Sequence, residues 1–148
     1  MIDALFDQIR NLPSTEHGAG APLQHIRQAE KTLSNRFSES YRRFLSTLGW
    51  VDGPTLMLAG LGHDTPAHLD LIRTVQSERT LFEPQIPAHL LPIMNDGAGN
   101  NYCLDCRSFV NGECQVVFWN HELLVDQTPE TVSPSFVQWL HLILDEPQ

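Results

Sequence analysis

The sequence predicts an α+β domain with a central antiparallel sheet flanked by N-terminal helices and a C-terminal helix. Apolar residues recur at helical spacing through residues 2–48, three strand-length runs between residues 90 and 119 are separated by Asn- and Gly-containing turns, and a last helical pattern follows Ser133.

Ile2, Leu5, Phe6, Ile9 and Leu12 share one helical face, and Leu12-Pro13 ends that helix because proline pushes its predecessor out of the α region. Residues 13–21 are a polar, glycine-containing loop. Pro22 suits the first turn of a second helix, expected from about Leu23 to Arg36. Its apolar face holds Ile26, Leu33 and Phe37, and Glu30 lies on that same face, so this acid requires a partner. Tyr41, Phe44, Leu45 and Leu48 repeat the i, i+3, i+4, i+7 pattern, with Gly49 placed as the left-handed residue that stops the helix.

Asp52-Gly53-Pro54 is turn chemistry, and Thr55 to Ala59 is a short strand closed by Gly60-Leu61-Gly62. A fourth helix is expected from about Ala67 to Leu81, with Leu69, Ile72 and Val75 on its buried side and Arg79 in line with them. Leu90 to Met94, Tyr102 to Arg107 and Gln115 to Trp119 are the strands of an antiparallel meander. Between the last two, Asn111-Gly112 is the pair that a type I′ hairpin turn demands, because both central residues need positive φ. The final helix takes Ser133 as N-cap and Pro134 as first helical residue, with Phe136, Leu140, Ile143 and Leu144 facing the core. No repeat, low-complexity tract or linker interrupts the chain, so residues 1–148 read as one domain.

Composition narrows the classes of function. The chain is 41% hydrophobic and 18% charged, which is globular, and no run approaches the roughly 18 apolar residues of a membrane span. The acidic start Met1-Ile2-Asp3-Ala4-Leu5-Phe6-Asp7 has neither a basic nor an apolar signal region, so a cytoplasmic protein is expected. Three cysteines, Cys103, Cys106 and Cys114, are an odd count that suits reduced thiols. With 9 Lys+Arg against 18 Asp+Glu, the formal charge of -9 disfavours nucleic acid and anionic membranes and suits a basic protein partner. The bases concentrate early, at Arg27, Lys31, Arg36, Arg42 and Arg43, whereas nothing beyond Arg107 is basic.

No catalytic, cofactor or metal constellation is complete. Cys103-Leu104-Asp105-Cys106 has C-x-x-C spacing but lacks a second such pair, and Cys114 leaves a tetrahedral site one ligand short; small buried strand cysteines are the simpler account. His121-Glu122 opens like H-E-x-x-H, but Val125 stands where the second histidine belongs. Asp96-Gly97-Ala98-Gly99-Asn100 lacks both the calcium-loop progression and the third glycine of a dinucleotide fingerprint, and a turn accounts for every residue in it. Trp119 and Trp139 fall on core-facing positions, while Trp50 stands as an interface anchor. Glu30 and Asp105 are assigned structural roles. Asp52, Asp64, Asp70, Asp96, Glu122 and Asp126 are the acids expected to receive a partner.

An ordered set of residues carries a resemblance. Ile26, Glu30, Leu33, Phe37, Tyr41 and Phe44-Leu45 are followed by Leu91-Pro92-Ile93, Asp96-Gly97-x-Gly99-Asn100 and Tyr102-Cys103-Leu104-Asp105. Val116-x-Phe118-Trp119-x-His121-Glu122 and Ser135-Phe136-x-x-Trp139-Leu140 complete the series. This series, spanning about residues 23–141, resembles the SUKH superfamily. Leu48-Gly49-Trp50 and Arg36-Phe37 depart from the family's usual residues around the aromatic helix. The resemblance implies a non-catalytic α+β protein-binding domain, most often a bacterial immunity protein that neutralises a toxin, frequently a nuclease. The alternative it implies is a housekeeping regulatory interaction module with no toxin partner.

Overall fold

The computed structural model describes residues 2–145. In chain order these form α1 (Ile2–Arg10), β1 (Glu16–His17), α2 (Leu23–Leu33), α3 (Glu39–Thr47), β2 (Val51–Asp52) and β3 (Met57–Leu58). A 3-10 turn (Ala67–Leu69) leads into α4 (Leu71–Thr80), and β4 (Leu90–Asn95), β5 (Asn101–Asp105), β6 (Val116–Trp119), β7 (Glu130–Ser133) and α5 (Phe136–Leu144) follow. The expected α+β class and its antiparallel meander are present, as the four-stranded sheet β4-β5-β6-β7. A second small sheet, β1-β2-β3, lies beside it, and Ala59 N donates to Ile93 O at 2.9 Å to tie the two together.

Alternation along the meander decides what each face buries. Leu91, Ile93, Leu104 and Val116 join the large core with residues of α1 to α5. Leu90, Cys103, Val117 and Trp119 form a smaller cluster on the other face, covered by Ile86 from the segment before β4. At the centre of the large core Tyr41 stacks on Phe44 (5.8 Å) and meets Phe136 edge-on (5.3 Å). Its hydroxyl donates to Ala59 O at 2.9 Å, and burial pushes the phenol's pKa far above its ordinary value.

The predicted Asn-Gly turn is present: Asn111 and Gly112 have φ of 54° and 81°, and Val110 bridges Glu113 across them. That hairpin tip caps α3. Glu39 N donates to Gly112 O at 2.9 Å, and the Glu113 carboxylate accepts from both the amide and the hydroxyl of Ser40. These contacts satisfy first-turn amides that a helix leaves without partners.

Several boundaries differ from expectation. Helix α2 stops at Leu33 rather than Arg36, because Ser34 turns left-handed (φ 55°) and Glu30 draws the Phe37 amide back across the turn. The helix expected over Ala67–Leu81 breaks at Asp70, whose extended backbone and side chain cap α4 by accepting from Ile72 N and Arg73 N. Loop 13–21 contributes β1, and Asp52 is a strand residue rather than part of a turn. Strand β3 is limited to Met57–Leu58 within the expected Thr55–Ala59. Ser133 closes β7, a strand the sequence concealed; Ser135 is the true cap of α5, accepting from Gln138 N at 3.2 Å. In Ser133-Pro134-Ser135 either serine suits the capping role, and sheet pairing of Ser133 with Val116 decides between them.

Arg79 fastens three segments. Its guanidinium donates to Leu33 O at 2.8 Å, to Asn35 Oδ1, and to Ala88 O at 2.8 Å, so it closes the C-terminal end of α2 against the turn leading into β4.

Candidate protein-binding site

The C-terminal half of α4, the segment after it, and the β4–β5 turn enclose a groove of two adjoining cavities. The larger, about 420 Å³, is lined by His68, Arg73, Ser77 and Asn101 among others. The smaller, about 260 Å³, is lined by Glu83, Pro84, Gly99, Trp119 and His121, and Glu78, Phe82 and Asn95 border both. Asn101 Nδ2 donates to Glu78 Oε1 at 2.7 Å, which anchors that carboxylate between the two.

The β4–β5 turn builds one wall. Asp96 Oδ1 accepts from Ala98 N (2.8 Å) and Asn100 N (3.1 Å), while its Oδ2 accepts from Asn100 Nδ2 at 2.9 Å. Partial burial works against the charged carboxylate, yet the bonds from Asn100 and Ala98 outweigh it and hold Asp96 below the usual carboxylate range. With its amide fixed this way, Asn100 turns Oδ1 toward His121, accepting from the His121 backbone at 3.1 Å and meeting Nδ1 at 2.7 Å. Gly99 lies against the ring: a Cβ there would stand 2.9 Å from His121 Cε1, and its φ of +93° is one that side chains disfavour.

After His121 the loop to β7 is clasped by Gln127, which bonds the amide and carbonyl of Asn120 and the carbonyl of Leu124. Polar residues hold this loop from within, and its apolar residues point out. Leu123, Leu124 and Val125 are all exposed, the most open at 76%. Leu81 and Phe82 are exposed at the end of α4. Runs of exposed aliphatic and aromatic side chains beside charge, as each of these two segments presents, are the kind of surface that a partner covers.

The acids singled out from the sequence are distributed over several places. Asp96 belongs to the groove wall, and Glu122 and Asp126 flank the exposed Leu123-Leu124-Val125. Asp52 pairs with His68 Nε2 at 3.1 Å, and His68 lines the larger cavity. Asp64 and Trp50 are engaged with each other: the indole Nε1 donates to Asp64 Oδ1 at 3.0 Å, and Trp50 is buried, which removes it as an exposed anchor. Asp70 caps α4 beside a separate cavity lined by His25 and Gln28. Glu30 accepts from Phe37 N (2.8 Å) and Arg42 Nη2 (2.7 Å), and Asp105 Oδ1 accepts from Arg107 N at 3.1 Å. Gly97 and Gly99 both take positive φ in the turn, and Trp119 and Trp139 are buried.

Glu78, Phe82, Glu83 and His121 were not marked as a site in the sequence. Their shared signal is faint: Leu81-Phe82-Glu83-Pro84 and Glu122-Leu123-Leu124-Val125-Asp126 each join apolar residues to acids outside any periodic element. All three cysteines are free thiols, with Cys103 and Cys114 buried, and burial pushes Cys103 up in pKa. Among the described residues no three His, Cys, Asp or Glu side chains gather as a metal-holding group, and no helix is long and apolar enough to cross a membrane.

An α+β domain with exposed apolar segments and a groove lined by carboxylates and Phe82 is built as a protein-interaction module. The chain belongs to the SUKH superfamily: a family model described as SMI1-KNR4 cell-wall matches residues 2–145. No curated protein matches the sequence.

Proposed function

We propose that this protein is a single-domain, non-catalytic immunity protein that binds a cognate basic toxin in the cytoplasm and covers the surface the toxin needs for its own chemistry. The observation that carries this is the pairing of exposed apolar residues with acids in two segments, Leu81-Phe82 beside Glu83 and Leu123-Leu124-Val125 between Glu122 and Asp126, with Phe82, Glu78 and Glu83 lining the groove. Apolar and aromatic contacts give such a complex its residence time, and the acids, in a chain of formal charge -9, speed encounter with a basic partner. Three unpaired thiols suit a reducing compartment. The regulatory alternative draws support from the association of the SMI1-KNR4 family with the cell wall.

The test is growth. The protein encoded next to this chain is expressed alone, then with wild-type chain, then with Leu124→Asp or Phe82→Asp. Arrest relieved by wild type and restored by either variant supports immunity; growth that ignores this chain in every arm removes the toxin reading and leaves the regulatory one.

A further inference from the structure

We infer that the smaller cavity of the groove is the receptor for one arginine side chain of a protein partner. The inference rests on the protein-binding reading above and specifies what that surface grips. At about 260 Å³ the cavity falls below the size of most small-molecule sites, which begin near roughly 300 Å³, so a single long side chain is the better match. Its lining includes two carboxylates, Glu78 and Glu83, and no Lys or Arg.

Among the polar groups of the lining the Asn95 amide, whose Oδ1 accepts from Gly97 N, and the Trp119 indole offer N–H donors, while the two carboxylates are acceptors that carry the charge. Glu78 Oε1 accepts from Asn101, and its second oxygen has no protein donor among the described residues. Glu83 is exposed and forms no ion pair among them. On the opposite wall the chain Asp96–Asn100–His121 sets the tautomer. Asn100 commits its amide N–H to Asp96, so the atom facing His121 Nδ1 is a carbonyl oxygen, which only accepts. Nδ1 therefore carries a proton, and in the neutral ring Nε2 offers a lone pair. Gly99, which leaves room for the ring, keeps this acceptor in place.

Phe82 supplies the remaining feature. It lines the cavity and is 53% exposed, so it presents aromatic surface to an incoming group. A planar guanidinium with five donors stacks on an aromatic face and reaches several acceptors at once, whereas a lysine ammonium offers three donors from one point.

The probe is N-acetyl-arginine N-methylamide, titrated into the isotope-labelled full chain, with the citrulline analogue of near-equal shape and no charge as control. Saturable shifts at the Trp119 indole, Gly99 and His121 with arginine, absent with citrulline, support the inference. Glu83→Gln and Phe82→Ala, both at exposed positions outside the core, should each weaken arginine binding, the former by about tenfold. Equal response to citrulline, shifts that map elsewhere, or no saturable shift overturns it. The two readings fail separately. A toxin bound equally by wild type and both variants overturns the arginine receptor and leaves immunity standing, while arginine seated here without growth protection does the reverse.

Discussion

Glu30 and Arg42 meet across the turn between α2 and α3, with Arg42 Nη2 2.7 Å and Nε 3.2 Å from the same Glu30 Oε2 that accepts the Phe37 amide. One oxygen thus fixes both the end of α2 and the angle of α3. Glu30→Ala should destabilise the fold by about 1–3 kcal/mol, since it strands a donor in a mostly buried setting. Arg42 is over a third exposed, at 37%, so Arg42→Met should cost less, within the roughly 0–1 kcal/mol of a surface pair. Urea unfolding of both single variants decides this; equal losses would place the energy in the ion pair instead of the amide bond.

Tyr41→Phe isolates a different bond. The ring contacts with Phe44 and Phe136 survive, but Ala59 O loses its hydroxyl donor at 2.9 Å. A loss of about 1–3 kcal/mol with an unchanged denaturant slope is expected. Wild-type stability would mean that the carbonyl finds another donor.

Acid should release Trp50 from Asp64. The Trp50 indole bond is the largest influence on Asp64; with help from Ala19 N it outweighs partial desolvation and holds the folded pKa below the ordinary aspartate value of 3.8. A depressed acid contributes stability that is fully present above its unfolded pKa and is lost as pH falls through the folded value. The melting advantage of wild type over Asp64→Ala should therefore hold steady above about pH 4 and shrink below 3.8. An advantage that persists unchanged at the acid end would show that the charge on Asp64 is irrelevant.

Gly99→Ala tests the groove wall. The new methyl meets a backbone φ of +93° and the His121 ring at 2.9 Å. A stability loss of about 1–2 kcal/mol for the left-handed backbone is expected, together with displaced His121 ring resonances. Unmoved His121 resonances would show that the wall is looser than its geometry implies.

The helical half of the fold was legible because its signals are local. Tyr41, Phe44, Leu45 and Leu48 declare α3 by spacing alone, and Asn111-Gly112 declares its turn through the φ values both residues must adopt. What stayed hidden depends on distant partners. Strand β7 exists because Glu130 to Ser133 pair with β6, and nothing in Glu-Thr-Val-Ser states that. The groove is hidden for the same reason: Glu78 and Phe82, Asn95, and His121 come from three separate stretches of sequence, and only the packing of α4 beside the meander assembles them. The turn Asp96–Asn100 was correctly seen as a turn, yet its hold on His121 needs the β5–β6 register that brings Asn101 opposite Trp119.

The hairpin tip on α3 changes what the first turn of that helix reports. Helix-end amides ordinarily fray and trade their hydrogens with water on their own, independent of the rest of the molecule. Here Ser40 N is bound to Glu113, 73 positions along the chain, and Glu39 N to Gly112. Those two amides exchange when the hairpin lifts away, which makes a helix terminus, normally the least informative place in a protein, a clock for the undocking of a distant hairpin.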